Sequence, residues 1–172
     1  MGQNKIKADF LKKKVIIRDF VEEDINFITE KHVELYFDEY NFEKESFRKY
    51  VGDAINEFKK NYNRDEENIW VAEIEGRFAG SIALVKENDN LGQLRWFLVE
   101  SDFRGYGLGN KLIKTLLQFS REKKYRQILL WTVSELDAAR HLYAKYGFEI
   151  TETKEHEIWG NFLKEERWDL FL

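Results

Sequence analysis

The chain reads as one α/β domain, α+β in the way its elements segregate, and three observations predict it. Short apolar blocks with strand character, such as Ile69 to Ile74 and Ile128 to Val133, are separated by segments of helical period, such as Leu108 to Arg121. The 172 residues are 43% apolar and 16% aromatic, enough to bury a sizeable core and well above what a disordered chain carries. No repeat, low-complexity tract or linker divides the sequence.

The first 13 residues are polar and are expected to be a flexible extension, which leaves 14–172 as the domain. Val15 to Ile17 is a short strand. Apolar residues then recur at helical spacing through Val21, Ile25, Ile28, His32, Leu35 and Tyr36. A second helix carries Phe47, Val51, Ala54, Ile55 and Phe58, and a polar connection runs from Asn61 to Asn68. Ile69 to Ile74 and Phe78 to Val85 form a hairpin turning at Glu75-Gly76-Arg77, followed by a strand from Leu94 to Val99. The helix from Leu108 shows a broad apolar face, and Ile128 to Val133 is apolar throughout, as befits a strand covered on both sides. Ala138 to Tyr146 is a short helix ended by Gly147, and two strands close the chain near Phe148 to Thr153 and Arg167 to Phe171. The order is β-α-α-β-β-β-α-β-α-β-β.

Composition removes several classes of function. The net charge is -4, with no basic tract beyond Lys12-Lys13-Lys14, so no electrostatic footprint for nucleic acid exists. Without cysteine there is no disulfide, thiolate metal site or cysteine nucleophile, and three isolated histidines do not make a zinc cluster, so no metal is expected. The sequence has no apolar run of ~18 residues and no signal-peptide core, which predicts a cytoplasmic protein away from the membrane.

The most informative stretch is Val99-Glu100-Ser101-Asp102-Phe103-Arg104-Gly105-Tyr106-Gly107-Leu108-Gly109-Asn110, which joins a strand to a helix. Its glycines admit a ligand close to backbone N–H groups, the helix N-terminus adds partial positive charge, and Arg104 adds a planar cation. Such a turn suits a pyrophosphate. A dinucleotide fingerprint would need glycine where Asn110 stands, and a phosphate-binding P-loop would need lysine and a hydroxyl residue after its last glycine. The spacing that fits is R-x-x-G-x-G, on Arg104, Gly107 and Gly109.

This pattern resembles the acyl-CoA loop of the GNAT superfamily of N-acetyltransferases, and Ala139-Arg140-His141-Leu142-Tyr143-Ala144-Lys145-Tyr146-Gly147-Phe148 is similar to that family's A-x-x-L-Y-x-x-x-G-F segment. The resemblance extends over residues 14–172. Leu94-Arg95-Trp96, Leu130-Trp131-Thr132, Ala138 to His141, Glu155-His156 and Trp159-Gly160 are similar to the acetyltransferase halves fused behind MarR-type regulators, whose regulator half is absent here. The resemblance implies a central, mixed, mostly antiparallel sheet of six to seven strands flanked by about four helices. It also implies that the strand ending at Val99 and the strand Ile128 to Val133 run side by side and splay beyond their C-terminal ends. A pantetheine arm would then bond the backbone at Leu98 and Val99, while Arg104, Gly105, Tyr106, Gly107, Leu108, Gly109 and Asn110 hold the pyrophosphate.

The same resemblance gives Tyr143 the catalytic place beside the coenzyme sulfur, where a phenol protonates or steadies the departing thiolate. Gln93 falls where many members carry a glutamate base, and Leu136 stands near the place of a family asparagine. His32, Tyr36, Gln93 and Trp131 are candidates for the acceptor side, with Trp96 and Trp159 as further walls; Glu73 faces either the cleft or solvent. The implied activity is transfer of an acetyl group from acetyl-CoA to a primary amine, on a small molecule or a peptide, by direct attack in a ternary complex. A non-catalytic domain that senses CoA or another ligand is the alternative. Monomer and homodimer both remain open.

Overall fold

The computed structural model describes residues 14–172, so the expected N-terminal extension lies outside the described residues. Seven strands form one sheet: β1 (Val15–Asp19), β2 (Asn68–Ile74), β3 (Arg77–Asn88), β4 (Leu91–Val99), β5 (Gln127–Val133), β6 (Glu149–Ile158) and β7 (Asn161–Phe171). Their order is β1-β2-β3-β4-β5-β7-β6, and among the described residues β4–β5 is the one parallel pair. The helices are α1 (Asp24–Tyr40), α2 (Lys44–Asn61), α3 (Leu108–Glu122) and α4 (Asp137–Lys145). The expected mixed, mostly antiparallel sheet with four helices is the observed fold.

Two cores explain why the strands read as nearly continuous apolar runs. Along β2, Ile69 and Val71 pack with Ile28, Val51, Ile55 and Phe58 of α1 and α2. Trp70 and Ala72 point the other way, toward Leu112, Ile113 and Leu116 of α3. Successive side chains alternate between faces, and here both faces are covered.

The end of the chain departs from the sequence expectation. The last two strands run through Glu149–Ile158 and Asn161–Phe171, joined at Trp159 and Gly160, which both have left-handed backbones (φ 50° and 76°). Strand β6 is the outer edge and is exposed along most of its length, so it carries no apolar alternation to read. The turn is tied down where the Glu43 N–H donates to the Trp159 carbonyl at 2.8 Å.

The splay between β4 and β5 begins earlier than expected. Only Leu91, Gly92 and Gln93 pair with β5, opposite Gln127, Ile128 and Leu129. A bulge in β4 accounts for it: Ala83 faces Arg95, yet Ser81 faces Leu98, so β4 carries one extra residue there. Trp96 takes a left-handed backbone (φ 45°), and its carbonyl accepts the Ser81 hydroxyl at 2.8 Å. The strands therefore part within their length, not beyond their ends.

Candidate active site

From Leu94 to Val99 the β5-facing edge of β4 has no strand partner among the described residues. Beyond it the chain makes a single 3-10 turn (Ser101–Phe103) and enters the glycine turn, where Gly105 and Gly107 have φ of 80° and 81°. Gly107 is the N-cap of α3, with no side-chain cap and no acidic residue in the first turn. The first N–H groups of α3 are thus left for a ligand, and the helix dipole favours an anion. Gly109 answers a packing need instead. A Cβ there would lie 3.0 Å from Leu142 and 3.3 Å from Phe97.

These elements line a groove of about 550 Å³ bounded by Leu98, Val99, Arg104, Gly105, Gly107, Leu108, Gly109 and Asn110. Tyr106 does not line it; the side chain packs against the core. Helix α4 supplies the facing wall through Ala138, Ala139, His141, Leu142 and Lys145. The Arg104 Nε donates to the Val99 carbonyl at 3.0 Å, and its terminal nitrogens meet Glu39 at 2.7 and 2.9 Å. Lys145 donates to Asn110 Oδ1 at 2.7 Å, placing a second cation in the groove. Lys145 escaped the sequence reading; its place in the last turn of α4, three residues past Leu142, was the available signal. An open strand edge, an uncapped helix start and two cations fit a ligand with amides at one end and a pyrophosphate at the other.

A second cavity, of about 100 Å³, opens on the other side of the β4 bulge. His32, Tyr36, Gln93 and Trp131 all line it, as do Trp96, Trp159 and Tyr143. The sequence reading missed Arg95 of β4, Phe42 of the α1–α2 loop, Phe47 and Tyr50 of α2, and Glu165 of β7, which also line it. Tyr36, Phe97 and Leu136 belong to both cavities, so the two meet there.

Electrostatics at the junction follow from burial. His32 Nδ1 lies 2.8 Å from the Ile28 carbonyl and donates to it, which leaves Nε2 as a lone-pair acceptor. That Nε2 is buried without a hydrogen-bond partner among the described residues, and burial pushes the His32 pKa down to about 4, so the ring is neutral. Burial drives the Tyr143 and Tyr36 phenols well above the ordinary tyrosine range, keeping both protonated. Tyr143 lies between Phe97, Phe148 and Trp168, with ring centroids 6.0 to 6.2 Å away, and its hydroxyl finds no hydrogen-bond partner among the described residues. The carboxylates Glu73, weighed in the sequence, and Glu100, just past the end of β4, are engaged elsewhere. Glu73 holds Arg18 at 2.8 Å, Glu100 holds Lys31 at 3.2 Å, and neither lines the groove or the small pocket. Among the described residues no cluster of three or more His, Asp or Glu is placed to hold a metal ion, and no helix is long and apolar enough to cross a membrane.

Residues 29–148 match the model of the Acetyltransferase (GNAT) family. The chain belongs to that family. The GNAT chain is 27% identical over 148 residues to an uncharacterized N-acetyltransferase of Methanocaldococcus jannaschii, covering 81% of this chain and 63% of the other. It is 37% identical over 90 residues to the N-acetylaspartate synthetase of Xenopus tropicalis, covering 52% of this chain and 33% of that protein. It thus spans less than two thirds of the length of either relative. Among solved structures, an acetyltransferase of Salmonella typhimurium with its cofactor acetyl-CoA aligns over 91% of this chain and 93% of its own (TM-score 0.73, 17% identity). A ribosomal-protein-alanine N-acetyltransferase of Brucella melitensis aligns over 91% and 99% (TM-score 0.73, 22% identity). At these identities the likeness is one of fold. No comparison bears on the MarR-fused subtype.

Proposed function

We propose that this GNAT domain is an acetyl-CoA-dependent N-acetyltransferase that acetylates a primary amine by direct attack in a ternary complex. The observation that carries the reading is the meeting of two unlike cavities at Tyr36, Phe97 and Leu136: a long groove with an anion site, and a small aromatic pocket with a neutral histidine. Bound in the groove, acetyl-CoA would supply an acetyl group activated as a thioester, whose C–S bond breaks as a C–N bond forms to the amine. The β4 edge from Leu94 to Val99 accepts the pantetheine amides as an added strand, and the start of α3 with Arg104 and Lys145 holds the pyrophosphate. His32 Nε2 receives a hydrogen bond from the amine and orients its lone pair, while the aromatic walls exclude water. Tyr143, held protonated, delivers a proton to the leaving sulfur, and the proton shed by the amine nitrogen restores the phenol, so the products are the acetylated amine and CoA thiol with no net proton released.

The test is acetyl-CoA consumption across a panel of amines, alongside thermal shifts with CoA, NAD and ATP. The proposal requires release of free CoA with at least some amines and stabilisation by CoA alone of the three. Stabilisation by CoA with no acetylated product from any amine would identify a sensing domain instead.

A further inference from the structure

The small pocket contains a cation that the transfer chemistry leaves unused. Arg95 of β4 lies 5.2 Å from the Trp96 ring and 5.9 Å from the Tyr50 ring, and among the described residues it meets no carboxylate. Lys145, bonded to Asn110, belongs to the groove and not to this pocket, and three neighbouring cations are paired. Arg104 holds Glu39, Arg140 holds Glu166 at 2.9 Å, and Lys154, stacked on Trp131, holds Glu152 at 3.3 Å. The one carboxylate lining the pocket, Glu165, is taken by His156 at 2.6 Å.

Position gives Arg95 its meaning. The reacting end of the pocket is the junction, where His32 stacks on Tyr36 at 6.1 Å. From Tyr36 the aromatic wall continues to Phe47 (4.9 Å), then to Tyr50 (6.2 Å), and Arg95 comes next. Tyr50 is 45% exposed, so Arg95 stands toward the mouth, several atoms from the junction. A guanidinium held by ring faces keeps its donors for an incoming anion, and its fork matches a carboxylate. A single guanidinium with Glu165 nearby suits one negative charge better than two.

Resting on the acetyl-transfer reading, we infer that the acceptor is a primary amine bearing a carboxylate at its far end, with the amine at His32 and the carboxylate on Arg95. The aromatic wall covers the apolar spacer between them.

The test uses a series of unbranched ω-amino acids from glycine to 6-aminohexanoate, each beside its carboxamide, with kcat and KM measured for the whole protein. At the best chain length the acid should exceed its amide in kcat/KM by at least about tenfold, the difference lying in KM. Arg95→Gln should erase that preference by raising KM for the acid, and Arg95→Lys should keep part of it; acetyl-CoA affinity reports whether each variant is folded. If Arg95→Gln does not fold, the acid-to-amide ratio of the native protein decides alone. Equal use of acid and amide, or a preference that survives in a folded Arg95→Gln protein, would overturn the inference and leave acetyl transfer standing. Undiminished acetyl-CoA binding with no amine acetylated would overturn both.

Discussion

The guanidinium of Arg104, at the entrance to the glycine turn, lies 2.7 Å from a carboxylate oxygen of Glu39 in the last turn of α1. Arg104 lines the groove and Glu39 does not, so a pyrophosphate bound in the groove would compete with Glu39 for the same donors. Both side chains are partly exposed, and such a pair contributes about 1 kcal/mol or less to stability. Glu39→Gln should therefore leave the melting temperature nearly unchanged and tighten acetyl-CoA binding several-fold. Arg104→Ala should weaken binding by about tenfold or more. Calorimetric titration of both variants checks the pair; weaker binding in Glu39→Gln would mean that Glu39 positions Arg104 for the ligand.

Gly107 and Gly109 fail for different reasons when substituted. At Gly107 a Cβ meets nothing within 4 Å, but the backbone is left-handed, so Gly107→Val costs about 1–2 kcal/mol through φ alone. At Gly109 the obstacle is the packed Leu142 and Phe97, and Gly109→Asp adds a negative charge at the phosphate site. Each change should reduce acetyl-CoA affinity more than about tenfold, Gly109→Asp the more severely. Binding isotherms on folded variants decide; an unchanged dissociation constant would remove the turn from the binding site.

For Tyr143 the expected loss lies in turnover. Tyr143→Phe keeps the ring between Phe97, Phe148 and Trp168 and removes only the hydroxyl. Acetyl-CoA affinity should stay within about twofold, while kcat falls by about tenfold or more, because the proton is needed only as charge develops on sulfur. Wild-type kcat on a good acceptor would reduce Tyr143 to a packing residue.

His32 should make the fold acid-sensitive. Its pKa is about 4 in the folded protein against about 6.5 in an unfolded chain. Between those values the unfolded chain binds the extra proton, so stability is intact above about pH 6.5 and is lost as pH falls toward 4, by about 3 kcal/mol in full. His32→Gln, which has no proton to take up, should flatten that stretch of the stability curve. Urea titrations from pH 7 to 4.5 on both proteins provide the comparison, and identical pH slopes would contradict it.

The groove proposed for the coenzyme was legible because its signal is local: glycines and an arginine at fixed spacing between a strand and a helix, and a second motif one strand later. All four acceptor candidates line one pocket, yet nothing in their spacing announces it, since α1, β4 and β5 bring them together only in the fold. Arg95 was invisible as a binding residue for a related reason. Its lack of a carboxylate partner is a property of the folded surroundings. The β4 bulge had no sequence signature either, because Trp96 is a bulky residue in a backbone region where glycine or asparagine is the usual cue. Glu73, ambiguous in sequence, is settled by Arg18 beside it.

The bulge at Trp96 has a mechanical consequence. With only three residue pairs between β4 and β5, the section β5-β7-β6 is hinged to the rest of the sheet along a short seam. A ligand that bonds the open edge of β4 and packs against α4 would act as a missing strand and stiffen that seam. Those amides of Leu94 to Val99 that face away from β3 would then pass from the fast-exchanging class to the protected one, and the seam between β4 and β5 would run the length of β4 only when a substrate fills the gap.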